Sequence, residues 1–291
     1  MIKQILLISL SCFIASNSSF AQNQYVSKEL AFAQYLSTNK QYDDQIFVLK
    51  SLSKNNIASI QQNDSIHYLL GLAYYNKELL DSAIHLYSKV SSTTDKLHTP
   101  AVFWKSYLQN HLGTISEGRN SLLNADFTQD KFKELKNFQL AGNSLLTRDF
   151  VQFNERASNF DGNHYQFAKQ EIQLKALHKG LADHKCKSPA LAGLMSSIVP
   201  GTGKIYAGKV GQGIATIMAT TIMGIQTYES HRKDGPDSPR FIIYASLLSS
   251  FYIANVWGSV ISVNVRKREF DDTVNKEILF NMHIPLRTIF N

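Results

Sequence analysis

Pro200-Gly201-Thr202-Gly203-Lys204-Ile205-Tyr206-Ala207-Gly208-Lys209 is a glycine-rich turn that two long apolar segments follow. Val210 to Thr227 comes directly after it, and Phe241 to Asn264 comes after a polar loop; neither contains a charged side chain. A helix needs about 20 apolar residues to cross ~30 Å of hydrocarbon. The pattern therefore predicts a transmembrane helical hairpin, and the rest of the chain is interpreted around it.

A shorter apolar segment precedes this turn. Ser188-Pro189 is a typical helix start, because serine caps free amides and proline at the first turn loses no hydrogen bond. Ala190 to Val199 is only about half as long as a membrane span. We therefore expect it either to lie in the interface or to dip into it and return through the glycine turn. The predicted membrane turn consists of Pro200, Gly201, Gly203, Tyr206 and Gly208, and we expect Lys204, Tyr206 and Lys209 at the headgroup boundary.

Small residues recur every four positions in both predicted spans. They are Gly211, Ala215 and Ala219 in the first, and Ala254, Gly258 and Ser262 in the second. Small side chains let two helices approach closely in lipid. We therefore predict that the two ridges face each other, and that a bulky residue at Ala215 or Gly258 breaks the hairpin.

Residues 22–184 have apolar and aromatic side chains at helical spacing and little strand alternation, which predicts an all-α region. The clearest unit runs from Ser65 to Val90. In it, small and large side chains follow Gly71 at defined spacing, at Tyr74, Ala83, Tyr87 and Val90. A weaker copy lies 35 residues downstream, with Ser106 at the position of Gly71. Two less regular copies lie upstream of the first unit and further downstream. The positions that carry the pattern are Gly71, Tyr74, Ala83, Tyr87 and Val90; Ser106, Gly113, Gly118 and Leu122; Ala33, Tyr42 and Leu49; and Ala141, Asp149-Phe150 and Ala157.

The unit at Ser65 to Val90 resembles a tetratricopeptide repeat, although His67 stands where that family prefers tryptophan. The Pro200 to Lys209 motif is similar to the start of small two-helix membrane domains with a glycine/tyrosine signature. It also resembles the membrane region of uncharacterised bacterial envelope proteins that join tetratricopeptide repeats to such a segment. These resemblances cover Ser65 to Ser262 and imply a tetratricopeptide-like helical repeat array followed by a transmembrane hairpin in the envelope. They imply no reaction.

Residues 1–21 have the three parts of a secretory leader, with Lys3, the apolar run Ile5 to Ala15, and Ser19-Phe20-Ala21 before a cleavage site at Gln22. The predicted organisation is a signal peptide at 1–21, a repeat domain at 22–184, a membrane region at 185–268 and a tail at 269–291. The leader places the repeat domain in the periplasm and the hairpin in the bacterial cytoplasmic membrane. Basic residues are more numerous on the flanks of the spans than in the loop, and this favours the opposite orientation.

The tail predicts two elements. Arg266 to about Glu277 is typical of a juxtamembrane helix, and Ile278 to Phe290 is interpreted as an extended segment that pairs with a partner or with the repeat domain.

The remaining signals exclude several classes of function. The net charge of +7 comes with basic residues near the spans and no recognition motif, so we expect no nucleic acid. Pro200 to Lys204 matches part of a nucleotide-binding loop, but Ile198 and Ile205 replace its first glycine and its hydroxyl residue. His178, His184 and Cys186 do not have metal-ligand spacing. We therefore expect no nucleotide, cofactor, metal or catalysis.

The sequence thus predicts a non-enzymatic, membrane-anchored scaffold. Its exported repeat domain would bind a protein partner. The predicted contact residues are Tyr75 and Asn76, which lie off the packing positions, and Gln109. The alternative is an oligomeric membrane component that handles lipid or solute, with the repeat domain as a regulatory cap; the hairpin would then form a homo-oligomer.

Overall fold

The computed structural model describes residues 23–54, 58–92, 95–160, 162 and 166–290. The described residues form helices and no strand, so the predicted all-α class is confirmed. The predicted leader at 1–21 lies outside them. The helices are α1 (23–38), α2 (Tyr42–Lys54), α3 (Ile60–Asn76), α4 (Leu80–Tyr87), α5 (Asp95–His111), α6 (Ile115–Leu123), α7 (Asp130–Leu146), α8 (Phe150–Ala157), α9 (Ala168–Asp183), α10 (Pro189–Ile198), α11 (Thr202–Tyr206), α12 (Val210–Asp234) and α13 (Pro239–Phe290).

The chain divides into two compact units. The first comprises Met1–His178 and Ile278–Asn291, of which the ranges given above are described, and the second is Lys179–Glu277. The first unit is therefore built from two distant parts of the sequence.

Long and short helices alternate in the first unit with constant spacing. The long helices α3, α5 and α7 begin at residues 60, 95 and 130, and the short helices α4, α6 and α8 begin at residues 80, 115 and 150. Each step is 35 residues. The connecting turns repeat at the same interval, with positive φ angles of 59°, 85° and 60° at Glu78, Gly113 and Arg148. The helix pairs thus recur with the period that the sequence indicated, while their kinship with tetratricopeptide repeats stays a prediction.

Small residues lie where the helices of a pair cross. A Cβ atom at Gly71 would lie 2.7 Å from the Tyr87 ring, and one at Gly118 would lie 2.8 Å from the Ser106 carbonyl oxygen. The Ser106 hydroxyl also donates a 2.7 Å hydrogen bond to the Gly118 carbonyl. Any larger residue would force the paired helices apart.

The C-terminal part of α13 belongs to the first unit and is helical, so the prediction of an extended segment at Ile278 to Phe290 was wrong. The physical reason is a period of four: Ile278, Met282 and Leu286 are all 0% exposed, and residues four apart lie on one helical face. A strand would bury alternate residues instead.

In the second unit, α13 is the one helix among the described residues that is long and apolar enough to cross a membrane, by length and composition. Of the two predicted spans, only the second therefore lies in a helix with the length and composition to cross a membrane, and the hairpin stays a prediction. α12 has 25 residues but does not meet the same criterion. Its middle part lacks charge, but Gln212, Gln226 and several threonines make it less apolar than α13.

Candidate functional site

The first unit contains a groove that binds a helix of its own chain. We call residues 278–290 the groove segment; the groove is the surface of α3, α5 and α7 that contacts it. Residue His283 is its central contact. The Tyr75 hydroxyl lies 2.7 Å from His283 Nε2. The imidazole stacks on Tyr107 with centroids 5.1 Å apart, and Trp104 meets it edge-on at 5.6 Å.

Met282 is a fully buried contact. A Cβ atom at Gly142 would lie only 2.7 Å from Met282 Cγ, so the glycine of α7 makes room for this side chain. The buried Gln139 amide donates a 2.7 Å hydrogen bond to the Met282 carbonyl. That carbonyl lies in the turn before Pro285, where proline disturbs the helical hydrogen bonds. Gln139 thus binds the groove segment through its backbone at a buried position.

An aromatic cluster holds the far end of the segment. The Phe290 ring lies 5.6 Å from Phe103 and stacks on Phe132 at 5.8 Å. Contacts therefore come from three successive long helices, with hydrogen bonds in the middle and apolar packing along the whole segment.

Burial sets the protonation state of the central pair. Loss of solvent lowers the pKa of the His283 imidazole, and the nearby Arg287 and His111 lower it further. Burial raises the pKa values of the Tyr75 and Tyr107 hydroxyls. A neutral imidazole and a protonated phenol suit each other, because the Tyr75 hydroxyl can then donate to Nε2.

Of the predicted contact residues, Tyr75 lies in the groove. Asn76 is exposed and lines, with Tyr75 and His283, a cavity of about 630 Å³ in the first unit. Gln109 is only 5% exposed; it donates to Glu117 and accepts from Ser121 of α6. Gln109 therefore joins α5 to α6 and does not offer a surface to a partner.

Sequence reasoning missed His283, Met282 and Gln139. The sequence predicted an extended conformation for the groove segment, so the row of buried residues along one helical face was not recognised. The period of four in Ile278, Met282 and Leu286 was the signal that could have revealed it.

The glycine/tyrosine turn is a separate, well-bonded feature of the second unit. Gly201 has a φ of 96°, a conformation that favours glycine. Gly203 lies so close to α10 that a Cβ atom there would collide with the Ala192 carbonyl oxygen. The Tyr206 hydroxyl accepts a 3.2 Å hydrogen bond from the Ser188 amide, and Lys187 Nζ donates to the Tyr206 carbonyl at 2.6 Å. Pro200 ends α10, and Gly208 has a φ of 90°.

The predicted ridges do not meet as expected. A Cβ atom at Gly211 would have nothing within 4 Å, and one at Gly258 would meet only the Lys204 side chain, at 3.6 Å. Ala215 and Ala254 are exposed and Ala219 is half-buried, while Ser262 is buried. The contacts of α13 here lie one position further on, where the hydroxyls of Ser259 and Ser196 are 2.6 Å apart.

The fold and the groove define a class of protein: an all-α chain with a helix-pair unit that binds a helix, and a second unit with a long apolar helix. No group of three or more His, Cys, Asp or Glu residues in the described part of the chain is placed to hold a metal ion. Comparison of the chain with known protein families, curated protein sequences and solved structures finds no match.

Proposed function

We propose that the protein is a non-enzymatic, membrane-anchored scaffold of the bacterial envelope whose helix-pair unit binds a helical segment of a protein partner. The observation that carries this proposal is the occupied groove. Its surface supplies what an amphipathic helix needs: an apolar floor, a pocket for an unbranched side chain at Gly142, and two polar groups, on Gln139 and Tyr75. A partner helix with apolar residues at the same spacing as Ile278, Met282 and Leu286 would replace the groove segment.

The membrane anchor is supported by the exposure of apolar side chains in the second unit. Only 6% of the most apolar window of α13 is buried, whereas the core helix of a water-soluble protein is mostly buried. Large exposed apolar patches mark contact with a membrane or a partner. The exposed residues include Leu191, Leu194, Ile198, Ile214, Met218, Ile222, Ile243, Leu247, Trp257 and Ile261.

The first unit also bears on topology. Its helix pairs precede the second unit in the sequence and the groove segment follows it, yet both belong to one compact unit. They must therefore lie on one side of a membrane, which requires an even number of crossings between them. If α13 crosses, α12 provides the return crossing despite its glutamines. We accordingly propose the hairpin, with the first unit in the periplasm as the leader predicts.

Photo-crosslinking in living cells tests partner binding. A crosslinking amino acid replaces Asn76, beside the groove, or Phe47, which is 75% exposed and lies on α2. We expect a species of higher mass from position 76 that position 47 does not give. Only intramolecular products at position 76, or identical species from both positions, would contradict the scaffold function.

Cysteine labelling tests the topology. Cys186 is exposed, and a cysteine can replace Asp237 in the loop after α12 in a Cys186→Ser background. A membrane-impermeant maleimide applied to spheroplasts should label Cys186 and leave position 237 unlabelled. Labelling of both positions from the same side would exclude a crossing by α12.

A further inference from the structure

A basic cavity lies in the second unit, at one end of its apolar helices. It has a volume of about 500 Å³ and is formed by the chain between α9 and α10, the residues between α11 and α12, and α13 after its apolar part. Its charged lining consists of Lys185, Lys187, Arg266, Lys267 and one acidic residue, Glu269.

Contacts inside the second unit shape the walls of this cavity. The His184 ring stacks on Phe270 with centroids 3.7 Å apart and planes 10° apart. Lys187 is bonded to the Tyr206 carbonyl and lies over the Tyr206 ring at 5.3 Å. Arg266 is paired with Glu269 at 3.5 Å, in an exposed pair of the kind that contributes little energy. Among the described residues, no carboxylate lies within ion-pair distance of Lys185 or Lys267.

The opposite end of the apolar helices has a different charge balance. The loop region 229–240 contains three basic and three acidic residues. Two ion pairs neutralise much of this charge, Lys233 with Glu229 at 2.5 Å and Arg240 with Asp234 at 3.4 Å. The cavity end therefore carries the uncompensated positive charge of the second unit.

We infer that this cavity binds a phosphate group, and that its source is the headgroup of an anionic phospholipid. Basic pockets beside membrane helices attract such headgroups, and lysine and arginine side chains are the usual phosphate ligands. Gly208 lies two residues before the start of α12, and Val263 lies near the end of the apolar part of α13, so the cavity opens where apolar surface begins. Phosphate and acyl chain can thus be bound together. This inference rests on the proposed membrane location.

The test measures the thermal unfolding midpoint of the full-length protein in an uncharged detergent at constant ionic strength. The additives are phosphatidylglycerol, phosphatidylcholine and inorganic phosphate. The cavity variant is Lys185→Gln with Lys267→Gln, and the matched control is Arg232→Gln with Lys233→Gln at the loop end. We expect phosphatidylglycerol to raise the midpoint of the wild type and the control, with a shift at least threefold smaller in the cavity variant.

The outcomes separate the sources and the hypotheses. If inorganic phosphate reproduces the whole shift with the same variant dependence, the site binds free phosphate and the lipid assignment is wrong. If phosphatidylcholine raises the unfolding midpoint as much as phosphatidylglycerol does, the proposed site is wrong. It is also wrong if the cavity variant and the control variant lose the phosphatidylglycerol shift equally. Release of the wild-type chain from membranes by an alkaline wash would contradict the membrane anchor instead, and the inorganic phosphate arm would still report on the cavity.

Discussion

The two units place their apolar side chains in opposite ways. The first unit buries its largest side chains; Trp104, Phe103 and Phe138 are each at most 1% exposed. The second unit leaves Trp257 65% exposed, and several of its most buried residues are small or polar. These residues include Ala192, Ser196, Thr216, Ser230, Asn255 and Ser259. Water favours the first arrangement. The second is the arrangement that the proposed membrane location requires, because helices in lipid associate through small and polar contacts.

Equivalent methionine substitutions should give the largest contrast. Met282→Ala in the groove segment removes a fully buried side chain, and we expect a loss of about 2–5 kcal/mol in the free energy of unfolding. Met218→Ala on α12 truncates a side chain that is 60% exposed and should change stability by less than about 0.5 kcal/mol. Denaturant unfolding of the full chain in detergent measures both. Equal losses would mean that the exposed face of α12 is buried after all.

A pair of glycine substitutions tests the turn of the second unit. Gly203→Ala places a Cβ atom against the Ala192 backbone, and we expect a destabilisation of about 1–3 kcal/mol. Gly211→Ala meets open space and should be neutral, or stabilising by up to about 1 kcal/mol through helix propensity. Thermal unfolding in detergent checks the pair. If Gly211→Ala destabilises the protein, the result would support the predicted close packing at Gly211.

A buried glutamine should weaken the first unit. Gln45 is 0% exposed, and neither polar atom of its side chain has a hydrogen-bond partner in the described part of the chain. An unsatisfied buried amide costs about 1–3 kcal/mol, so we expect Gln45→Met to stabilise the protein by about 1–2 kcal/mol. Gln61→Met, on the exposed side of α3, is the control and should have little effect. A destabilised Gln45→Met would indicate that the amide makes a stabilising hydrogen bond after all.

The smallest effect should be a pH dependence of the groove. The pKa of His283 is lowered when the segment is bound, so the released segment takes up more protons. The groove contact should therefore be fully stable above an imidazole's ordinary pKa of about 6.5 and weaken as the pH falls below it. The Tyr75 and Tyr107 hydroxyls stay protonated there, because burial raises their pKa values. Arg287 and His111 are the other charged or titratable groups that act on His283.

Trp104 emission reports this change, since the chain has 2 tryptophans and Trp257→Phe leaves only the one in the groove. We expect a red shift on acidification that His283→Gln reduces. An unchanged shift in His283→Gln would show that His283 is not the group responsible.

The sequence predicted the helix pairs well because local signals define them: Gly71 and Ser106 mark crossings one period apart. Tyr75, which is off the packing positions of its own pair, lies in the groove, but its contact with a protein partner stays a prediction. The partner of Tyr75 was harder to foresee because His283 is 208 residues away in the chain. The absence of charge also predicted that α12 is as apolar as a membrane span. That prediction was not met, because Gln212 and Gln226 reduce the hydropathy of α12 without carrying charge.

The two-part construction of the first unit has a consequence for biosynthesis. Residues 278–290 leave the ribosome after every helix that they contact has been made. The hydrogen bond between Gln139 and the Met282 carbonyl can form only after 143 more residues have been synthesised. During translation the nascent groove is open, and its aromatic floor is available to chaperones. A premature stop codon before residue 278 would leave a chain with all its apolar helices and an unfilled groove, which quality-control proteases can recognise.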